Sequence, residues 1–441
     1  MRLPLILAFG LLAHSALAAE VRVAPGAGTL QSAIAGSRPG DVLLLSAGTY
    51  PGPFVIDHSV TLQGVAGSVL DGQGEGTVVT LTGDDITLKG LEITRSGGRG
   101  DTMDAGVKIL KGADRNVVDG NRVIDNYHGI DVHGCIDCVV RGNVIEGRET
   151  HRMNQRGNGV YVWNSPGLIV EGNDIRWGRD GIFSNTSDHD IYRGNLFRDL
   201  RFAIHYMYTR DSEISGNISI GNHLGFAIMF SNNLIVKDNM SLADRDHGLM
   251  INASNHSDFS GNLVQGAAKC TFIYDANKNL FVGNRFEGCD IGIHFTAGSE
   301  GNAMTGNAFI GNRTQVKYVG TRNIEWSFDG SGNFWSDHPV FDLNGDGYAD
   351  SPFRPNDLMD SILWSQPAAA LLMGSPAVQL VRWSQSSFPA ILPGGVVDSH
   401  PLMTAPTIDI PTNIAAMGAL VAYRWPKEPS YDADSDATMS N

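Results

Sequence analysis

The chain has 441 residues, a formal net charge of −15 and 53 glycines. Such an acidic balance argues against nucleic acid as a partner, and against binding to acidic lipid headgroups by charge alone. The length suffices for one extended domain with a smaller C-terminal region.

The N-terminus predicts an exported protein. Residues 1–18 combine Arg2, an apolar run from Leu3 to Leu12 and the small-residue ending Ala16-Leu17-Ala18. That order is typical of a secretory signal peptide cleaved after Ala18. No other stretch approaches the roughly 20 uninterrupted apolar residues that a transmembrane helix requires. We therefore expect a periplasmic chain.

A repeat dominates the chain after a capping segment at residues 19–54, which contains LQSAI and RPGDVLLL. Gly-Asn pairs recur at steps of about 22 residues, with the glycines at Gly120, Gly142, Gly172, Gly194, Gly216, Gly261, Gly283 and Gly306. This period indicates stacked coils of short strands, joined by turns in which Gly and Asn accept positive φ. We predict an all-β fold, a right-handed parallel β-helix of about 22 residues per coil over residues 55–332.

Aligning the repeats places soft metal ligands side by side. The alignment sets AIHYMY from Ala203, AIMFSN from Ala227, GLMINA from Gly248, FIYDAN from Phe272 and GIHFTA from Gly292 under one another. Because side chains alternate along a strand, the second position of each row is expected to point inward, and the third and fifth outward. The third column then reads His205, Met229, Met250, Tyr274 and His294, and the fifth begins with Met207.

These outward residues predict a copper site. Thioether and imidazole groups together suit Cu(I) better than any hard cation. Stacked coils lie about 4.8 Å apart, so a column of the alignment becomes a line of neighbours. The main candidate ligands are His205, Met207, Met229 and Met250. Secondary candidates are His223 and His247, at coil corners, and His294, farther along the column.

The four cysteines predict disulfides. Cys135 and Cys138 form a C-x-x-C, and Cys270 and Cys289 fall near the same corner of successive coils. In an oxidising compartment one or two disulfides are expected, with a redox or metal role as the alternative. Residues Arg148–Gln155 lengthen one coil and are expected to form a loop, which carries His151 and Met153 as an alternative source of soft ligands.

An acidic loop follows the repeat, within a compositionally different region at residues 333–426. Positions 1, 3, 5 and 9 of an EF-hand-like loop are occupied by Asp342, Asn344, Asp346 and Asp350. Phe353 stands at position 12, so Asp357 or Asp360 would have to supply the missing carboxylate. The spacing indicates either a structural Ca²⁺ site or a metal-free turn.

The end of the chain is first apolar and then acidic. The run SILWSQPAAALLMGSPAVQLVRWSQ is interrupted by Pro367, Gly374 and Pro376, which favours two short helices. They would cap the last coil, dock onto a membrane partner, or do both. Residues 427–441 are polar and acidic, and we expect them to be disordered.

The runs RFAIHYMYT, GNHLGFAIMFSN, GNFWSDHPVFDLNGDGYAD and FPAILPGGVVDSHPLM resemble the NosD family. These are periplasmic β-helix proteins that assist the maturation of nitrous oxide reductase. The resemblance implies copper traffic between a periplasmic copper-chaperone lipoprotein and the apo-reductase. It also implies partnership with an ABC transporter, made of a permease and its ATPase, and contact with the membrane only through that permease.

Two other functions stay open. A metal-free scaffold for assembly of the reductase would use the outward Met and Trp residues as an interface. A polysaccharide lyase or epimerase would need an acid/base pair and a basic groove. Asp131 with His133, and Asp188-His189-Asp190, are faint candidates for such a pair, but the aligned rows carry Tyr, Trp and Met where a basic groove needs Lys or Arg. With no nucleotide-binding motif and no nucleophile apparent, we expect a protein that is not an enzyme.

Overall fold

The computed structural model describes residues 18–296, 298–320, 322–338, 340–355, 362, 366–372, 375–387 and 394–424. Within them the chain forms an all-β parallel solenoid of about 14 turns, with about 22 residues per turn. The predicted parallel β-helix is therefore confirmed. Most of the predicted signal peptide and the whole predicted tail lie outside the described residues.

Each coil contributes one short strand to each of three parallel sheets. Sheet A has 13 strands: Glu20–Val23, Asp41–Leu45, Val60–Gly64, Thr87–Lys89, Val117–Asp119, Val139–Arg141, Ile169–Glu171, Ile191–Arg193, Glu213–Ser215, Ile235–Lys237, Asp258–Ser260, Leu280–Val282 and Ala303–Thr305. Sheet B has 13: Gly48–Pro51, Ser68–Asp71, Glu92–Thr94, Arg122–Ile124, Val144–Glu146, Asp174–Arg176, Leu196–Arg198, Ile218–Ile220, Met240–Leu242, Leu263–Gln265, Arg285–Glu287, Ala308–Ile310 and Phe334–Trp335. Sheet C has 12: Phe54–Ile56, Val79–Leu81, Ala105–Ile109, His128–His133, Val160–Trp163, Asp180–Asn185, Phe202–Met207, Leu224–Met229, His247–Asn252, Lys269–Tyr274, Ile291–Thr296 and Thr314–Val319.

A ladder of buried asparagines explains the Gly-Asn repeat. In Gly216-Asn217, the glycine supplies a left-handed φ of 59° at the corner between sheets A and B. The amide of Asn217 donates to the carbonyl oxygen of Tyr192 on the preceding coil at 2.8 Å, and its Oδ1 accepts the main-chain N–H of Asn195 at 3.0 Å. Equivalent bonds recur at Asn121, Asn143, Asn173, Asn195, Asn239, Asn262, Asn284, Asn307 and Asn333. The ladder fixes how each coil stacks on the previous one.

Both ends of the solenoid are covered. Helix α1 (Thr29–Gly36) buries Leu30 and Ile34 over the first coil, as the capping segment predicts. At the other end, Asp398 accepts the main-chain N–H of Asn333 and the indole N–H of Trp335, both at 2.7 Å. A small parallel pair, Asn323–Glu325 with Gly395–Val397, lies beside this contact. Parallel pairing thus extends on both sides beyond the predicted range of residues 55–332.

The C-terminal region contains the two short helices that the sequence predicts. They are a 3₁₀-helix at Pro367–Leu372 and helix α2 (Pro376–Ser387), on which Leu380 and Trp383 are exposed. A further helix, α3 (Thr412–Arg424), was not predicted. Its Ile414 packs with Ile220, Leu242 and Leu263 against the outer face of sheet B.

All four cysteines form disulfides, Cys135 with Cys138 and Cys270 with Cys289. The four side chains are buried and none is a free thiol. The disulfide prediction is confirmed, and no cysteine is left to serve as a metal ligand.

Candidate metal centre

The outward side chains of sheet C form two columns along the solenoid. On the strand Phe202–Met207, Ile204 and Tyr206 are fully buried inside the coil, whereas His205 and Met207 face outward. Column one contains Lys108, Asp131, Tyr161, Phe183, His205, Ala227, Met250, Phe272, His294 and Lys317. Column two contains His133, Trp163, Asn185, Met207, Met229, Asn252 and Tyr274.

The predicted alignment of the repeats is wrong in two rows. His205 pairs in register with Ala227, not with Met229, which pairs instead with Met207. The row beginning at Phe272 is displaced in the same way by two residues. Side chains alternate with a period of two, so a two-residue shift leaves the inward apolar pattern unchanged and gives no sign of the error.

The observed register gathers the four main candidate ligands around Ala227. His205 and Met250 flank Ala227 in column one, on the preceding and the following coil. Met229 lies two residues farther along the strand of Ala227, and Met207 is its partner on the preceding coil. His205 is buried, and the three methionines are half-buried. Ala227 has the smallest side chain of column one and is fully buried, so one imidazole and three thioethers lie on the residues that surround it in the register.

His205 has the surroundings of a metal-binding histidine. Its Nδ1 lies 3.3 Å from Oδ2 of Asp180, while its Nε2 is buried and has no hydrogen-bond partner among the described residues. Arg201 donates to both oxygens of Asp180, at 2.7 and 2.6 Å. Burial by itself raises the pKa of Asp180, but the hydrogen bonds from His205 and Arg201 outweigh it and hold that pKa below its ordinary value. A carboxylate on one imidazole nitrogen and an open position on the other is the usual arrangement around a ligating histidine.

Aromatic rings surround this group. The rings of Phe183 and Phe202 lie 5.0 and 5.1 Å from the ring of His205. Immediately after Met207 and Met229, Tyr208 and Phe230 stack on each other at 5.1 Å and are 53% and 40% exposed. Both adopt left-handed φ angles, of 54° and 51°, which bulky residues seldom do. An exposed aromatic pair therefore adjoins the methionine pair.

The secondary histidines are less favourably placed. His223 is bound to a carboxylate, with its Nε2 3.1 Å from Oδ2 of Asp246. His294 shares column one with His205, as predicted, but Phe272 separates it from the four-residue group. His247 is buried one coil beyond Leu224, near Met250 on the same strand. Burial, with the charge of Lys269, lowers the pKa of both His247 and His294 to about 3, so each is a neutral imidazole at neutral pH.

Comparison with known proteins identifies the family. The family described as "Periplasmic copper-binding protein (NosD)" matches residues 141–339. A "Probable ABC transporter binding protein NosD" of Stutzerimonas stutzeri is 38% identical over 378 residues, which cover 82% of this chain and 87% of that protein. The chain belongs to the NosD family. A second NosD relative, from Pseudomonas aeruginosa and of the same printed name, is 39% identical over 379 residues, covering 83% of this chain and 89% of its own length.

More distant solved structures share only the fold with this NosD-family chain. The alginate lyase AlyF-OU02 has a TM-score of 0.55 at 15% identity, covering 74% of this chain and 90% of the lyase. An exopolygalacturonase of Yersinia enterocolitica has a TM-score of 0.54 at 12% identity, covering 66% of this chain and 74% of the enzyme. In the part of the chain that the structure describes, no helix has the length and hydropathy needed to span a bilayer.

The carboxylates of the acidic loop accept hydrogen bonds from the main chain of the same loop. Asp342 accepts the main-chain N–H groups of Gly345 and Gly347 at 2.6 and 2.9 Å, which lowers its pKa, with the bond from Gly347 the largest cause. Asp350 accepts the N–H of Leu343 at 2.8 Å. Among the described residues, no group of three or more His, Cys, Asp or Glu side chains is placed to hold a metal ion. Asp357 and Asp360 lie outside those residues, so the Ca²⁺ site stays a prediction.

The residues considered for sugar chemistry are occupied by internal contacts. Asp131 is fully buried 3.3 Å from the ammonium of Lys108, and burial raises the pKa of its carboxyl to about 6. Asp190 is fully buried and accepts the hydroxyl of Tyr192 at 3.1 Å. The carboxyl groups of Asp131 and Asp190 are therefore both shielded from solvent. Asp188, the other carboxylate of that segment, pairs with Arg210 at 2.9 Å.

The long loop at Arg148–Gln155 belongs to an earlier coil than the four-residue group. It contains a 3₁₀-helix at Met153–Gln155 and precedes the strand Val160–Trp163, two coils before His205. Arg148 fastens it by donating to the carbonyl oxygens of Ser96 and Gly97 at 2.7 and 2.9 Å. His151 makes hydrogen-bond contacts with Thr150 and Arg156, within or beside the loop itself.

Two residues of the site, Ala227 and Asp180, are absent from the sequence-based prediction. The signal for Ala227 was present, because it follows Asn217 of the ladder at the same distance as His205 follows Asn195. Counting from the Gly-Asn pairs would have set the register correctly. Asp180 is part of the site only through the direction of its side chain, for which the sequence contains no comparable signal.

Proposed function

We propose that this protein binds Cu(I) at His205, Met207, Met229 and Met250 and passes it, with an ABC transporter, to nitrous oxide reductase during maturation. The observation that carries the proposal is the grouping of one imidazole and three thioethers around Ala227 on the outward face of sheet C. Such soft ligands select Cu(I) over the hard cations of the periplasm.

The exposure of the methionines suits transfer rather than storage. Met207 and Met229 are adjacent and half-buried, so a ligand from a partner can approach from the solvent side. His205 is buried beneath Phe202 and Phe183 and supplies the fixed ligand. Incoming donors would displace the thioethers one at a time while the imidazole still holds the ion.

The partners are proposed from the family. The relatives are named as ABC transporter binding proteins, which supports docking on a permease and coupling to its ATPase. Helix α2, with Leu380 and Trp383 exposed, is our candidate for the permease contact. A periplasmic copper-chaperone lipoprotein would supply Cu(I), and the apo-reductase would receive it. No catalytic step is proposed for this chain.

A metal-free assembly scaffold is the second candidate function. The exposed stack of Tyr208 on Phe230 favours it, because aromatic residues held out to solvent are common in protein interfaces. The two functions differ in their response to substitution. Met207→Leu preserves an apolar contact but removes a copper ligand, whereas Tyr208→Ala removes the contact and leaves the ligands intact.

The test is an anaerobic Cu(I) titration of the mature protein against a competing chelator. The variant carries His205→Ala, Met207→Leu, Met229→Leu and Met250→Leu. Its matched control carries His256→Ala and Met240→Leu, which change an exposed histidine and a methionine on sheet B. We expect binding by the native chain and the control and its loss in the variant. Equal binding by all three proteins would refute the proposed site.

A further inference from the structure

A buried carboxylate lies directly behind the imidazole of the proposed copper site. Asp180 begins the strand Asp180–Asn185, one coil before His205, and its side chain is 1% exposed. Arg201 donates hydrogen bonds to both of its oxygens, from Nε at 2.7 Å and from Nη2 at 2.6 Å. A guanidinium is always charged, and its two parallel N–H groups match an ionised carboxylate. Asp180 is therefore an acceptor and has no proton to donate.

The contact with Asp180 determines which nitrogen of His205 carries the proton. Nη2 of Arg201 also lies 3.5 Å from Nδ1 of His205, but it already donates to Oδ2 of Asp180 at 2.6 Å. An ionised carboxylate only accepts hydrogen bonds, so the shorter 3.3 Å contact places the proton on Nδ1 of His205. When the ring carries this single proton, its lone pair is on Nε2. That atom is buried and has no hydrogen-bond partner among the described residues. A buried acceptor without a donor is unfavourable, unless a bound ion uses the lone pair.

The ring plane is fixed independently of the carboxylate. Phe183 and Phe202 meet the ring of His205 edge to face, at interplanar angles of 71° and 89°. These contacts restrict tilting, but they do not distinguish one ring nitrogen from the other. The distinction depends on the hydrogen bond to Asp180.

We infer that Asp180, held by Arg201, is a positioning residue that keeps the proton of His205 on Nδ1 and so presents Nε2 to a soft metal ion above Ala227. The inference rests on the proposed function for the identity of the ion, but not for the choice of tautomer. Removing the carboxylate would let the proton move to Nε2, where it blocks the metal.

The experiment uses the full mature protein and the variant Asp180→Asn. The tautomer of His205 is read in the metal-free protein by ¹⁵N NMR of labelled histidine, with the signal assigned by its loss in His205→Gln. Cu(I) affinity is measured in parallel by competition with a chelator. Asp174→Asn is the matched control, because it removes a carboxylate held by Arg198 through two 2.7 Å bonds on sheet B, away from the site.

We expect the native protein and Asp174→Asn to show the proton on Nδ1. Asp180→Asn should show a population with the proton on Nε2 and a 10- to 100-fold weaker affinity for Cu(I), on the order found for other partners of metal-binding histidines. Arg201→Lys keeps Asp180 but loses the pair of hydrogen bonds that the guanidinium donates to it. This variant should change the tautomer population and the Cu(I) affinity in the same direction, but by smaller amounts.

The outcomes separate the two proposals. An unchanged tautomer in folded Asp180→Asn, or a changed tautomer with unchanged affinity, would overturn the role of Asp180 while leaving the copper site intact. Absence of Cu(I) binding by the native protein would instead overturn the proposed function. In that case the NMR measurement still decides whether Asp180 sets the tautomer.

Discussion

Replacing Ala227 by phenylalanine would insert a ring between the proposed ligands. Ala227 lies between His205 and Met250 in column one, so the strands of those two residues are about 10 Å apart. Donor atoms bind a metal at roughly 2 Å, whereas two groups packed on opposite faces of a phenyl ring are about 7–8 Å apart. With the ring in place, His205 and Met250 cannot share an ion.

The substitution is expected to lower both the affinity for Cu(I) and, by a similar or smaller amount, the free energy of unfolding. Only Met207 and Met229 would remain as a pair, and we expect Cu(I) binding to weaken by at least about 100-fold, which is about 2.7 kcal/mol. Ala227 is fully buried, so the ring must displace the side chains that cover its methyl group, although Phe183 and Phe272 occupy column one on nearby coils. We therefore expect the free energy of unfolding to change by no more than about 1–3 kcal/mol, the usual cost of overpacking.

The assay is the anaerobic competition titration, with thermal unfolding to verify the fold. Thr296→Phe is the control, since it adds the same ring to the same face, away from the four-residue group. A folded Ala227→Phe protein that binds Cu(I) as tightly as the native chain would refute the geometry proposed here. Weakening by Thr296→Phe of the same size would show that the effect is not local.

Three further predictions concern the fold. Asn217→Ala leaves buried partners unpaired, including the carbonyl of Tyr192, and should lower the free energy of unfolding by about 3 kcal/mol in urea titration; no change would argue against the ladder as a stabilising element. Replacing Cys270 and Cys289 by serine opens a link of sequence separation 19 and should cost about 3 kcal/mol without altering Cu(I) affinity; altered affinity would connect the disulfide to the site. Burial raises the pKa of Asp190 to about 7, above the value of about 3.9 expected in the unfolded chain. The folded state therefore holds this proton more tightly, and the free energy of unfolding should fall as pH rises between these two values. Asp190→Asn should flatten that part of the stability profile, and an unchanged slope would contradict the assignment.

The solenoid was predictable because its repeat contains residues with strong preferences for particular backbone conformations and hydrogen bonds. Gly216 adopts a left-handed φ of 59° and Asn217 occupies the ladder, so the Gly-Asn pair marks each corner directly. A cap before the first coil was expected because an exposed first coil requires a cover, but the helical form of α1 was not predicted. The disulfides followed from the compartment and from the position of the cysteines on successive coils.

The stacking register and the tertiary contacts were harder to predict. A two-residue shift preserves the alternation of inward and outward side chains, so the row of Ala227 could be misplaced with no loss of apolar pattern. Helix α3 was missed because its partner is the outer face of sheet B, where Ile220 and Leu242 become a surface only after the coils have stacked. The hydrogen bond that His205 donates to Asp180 depends on side-chain direction, which repeats of this kind do not encode.

The hydrogen bond that Asn333 donates to Asp398 also bears on the order in which the solenoid forms. Coils can add one after another, each using the last strand as its template, because every coil contacts only its neighbours. The final edge is different, since its cover is Asp398, a residue 65 positions farther along the chain. Until that residue arrives, the last strand exposes unpaired N–H groups and invites pairing with another growing chain. Late closure makes the C-terminal region an intramolecular guard against end-to-end aggregation.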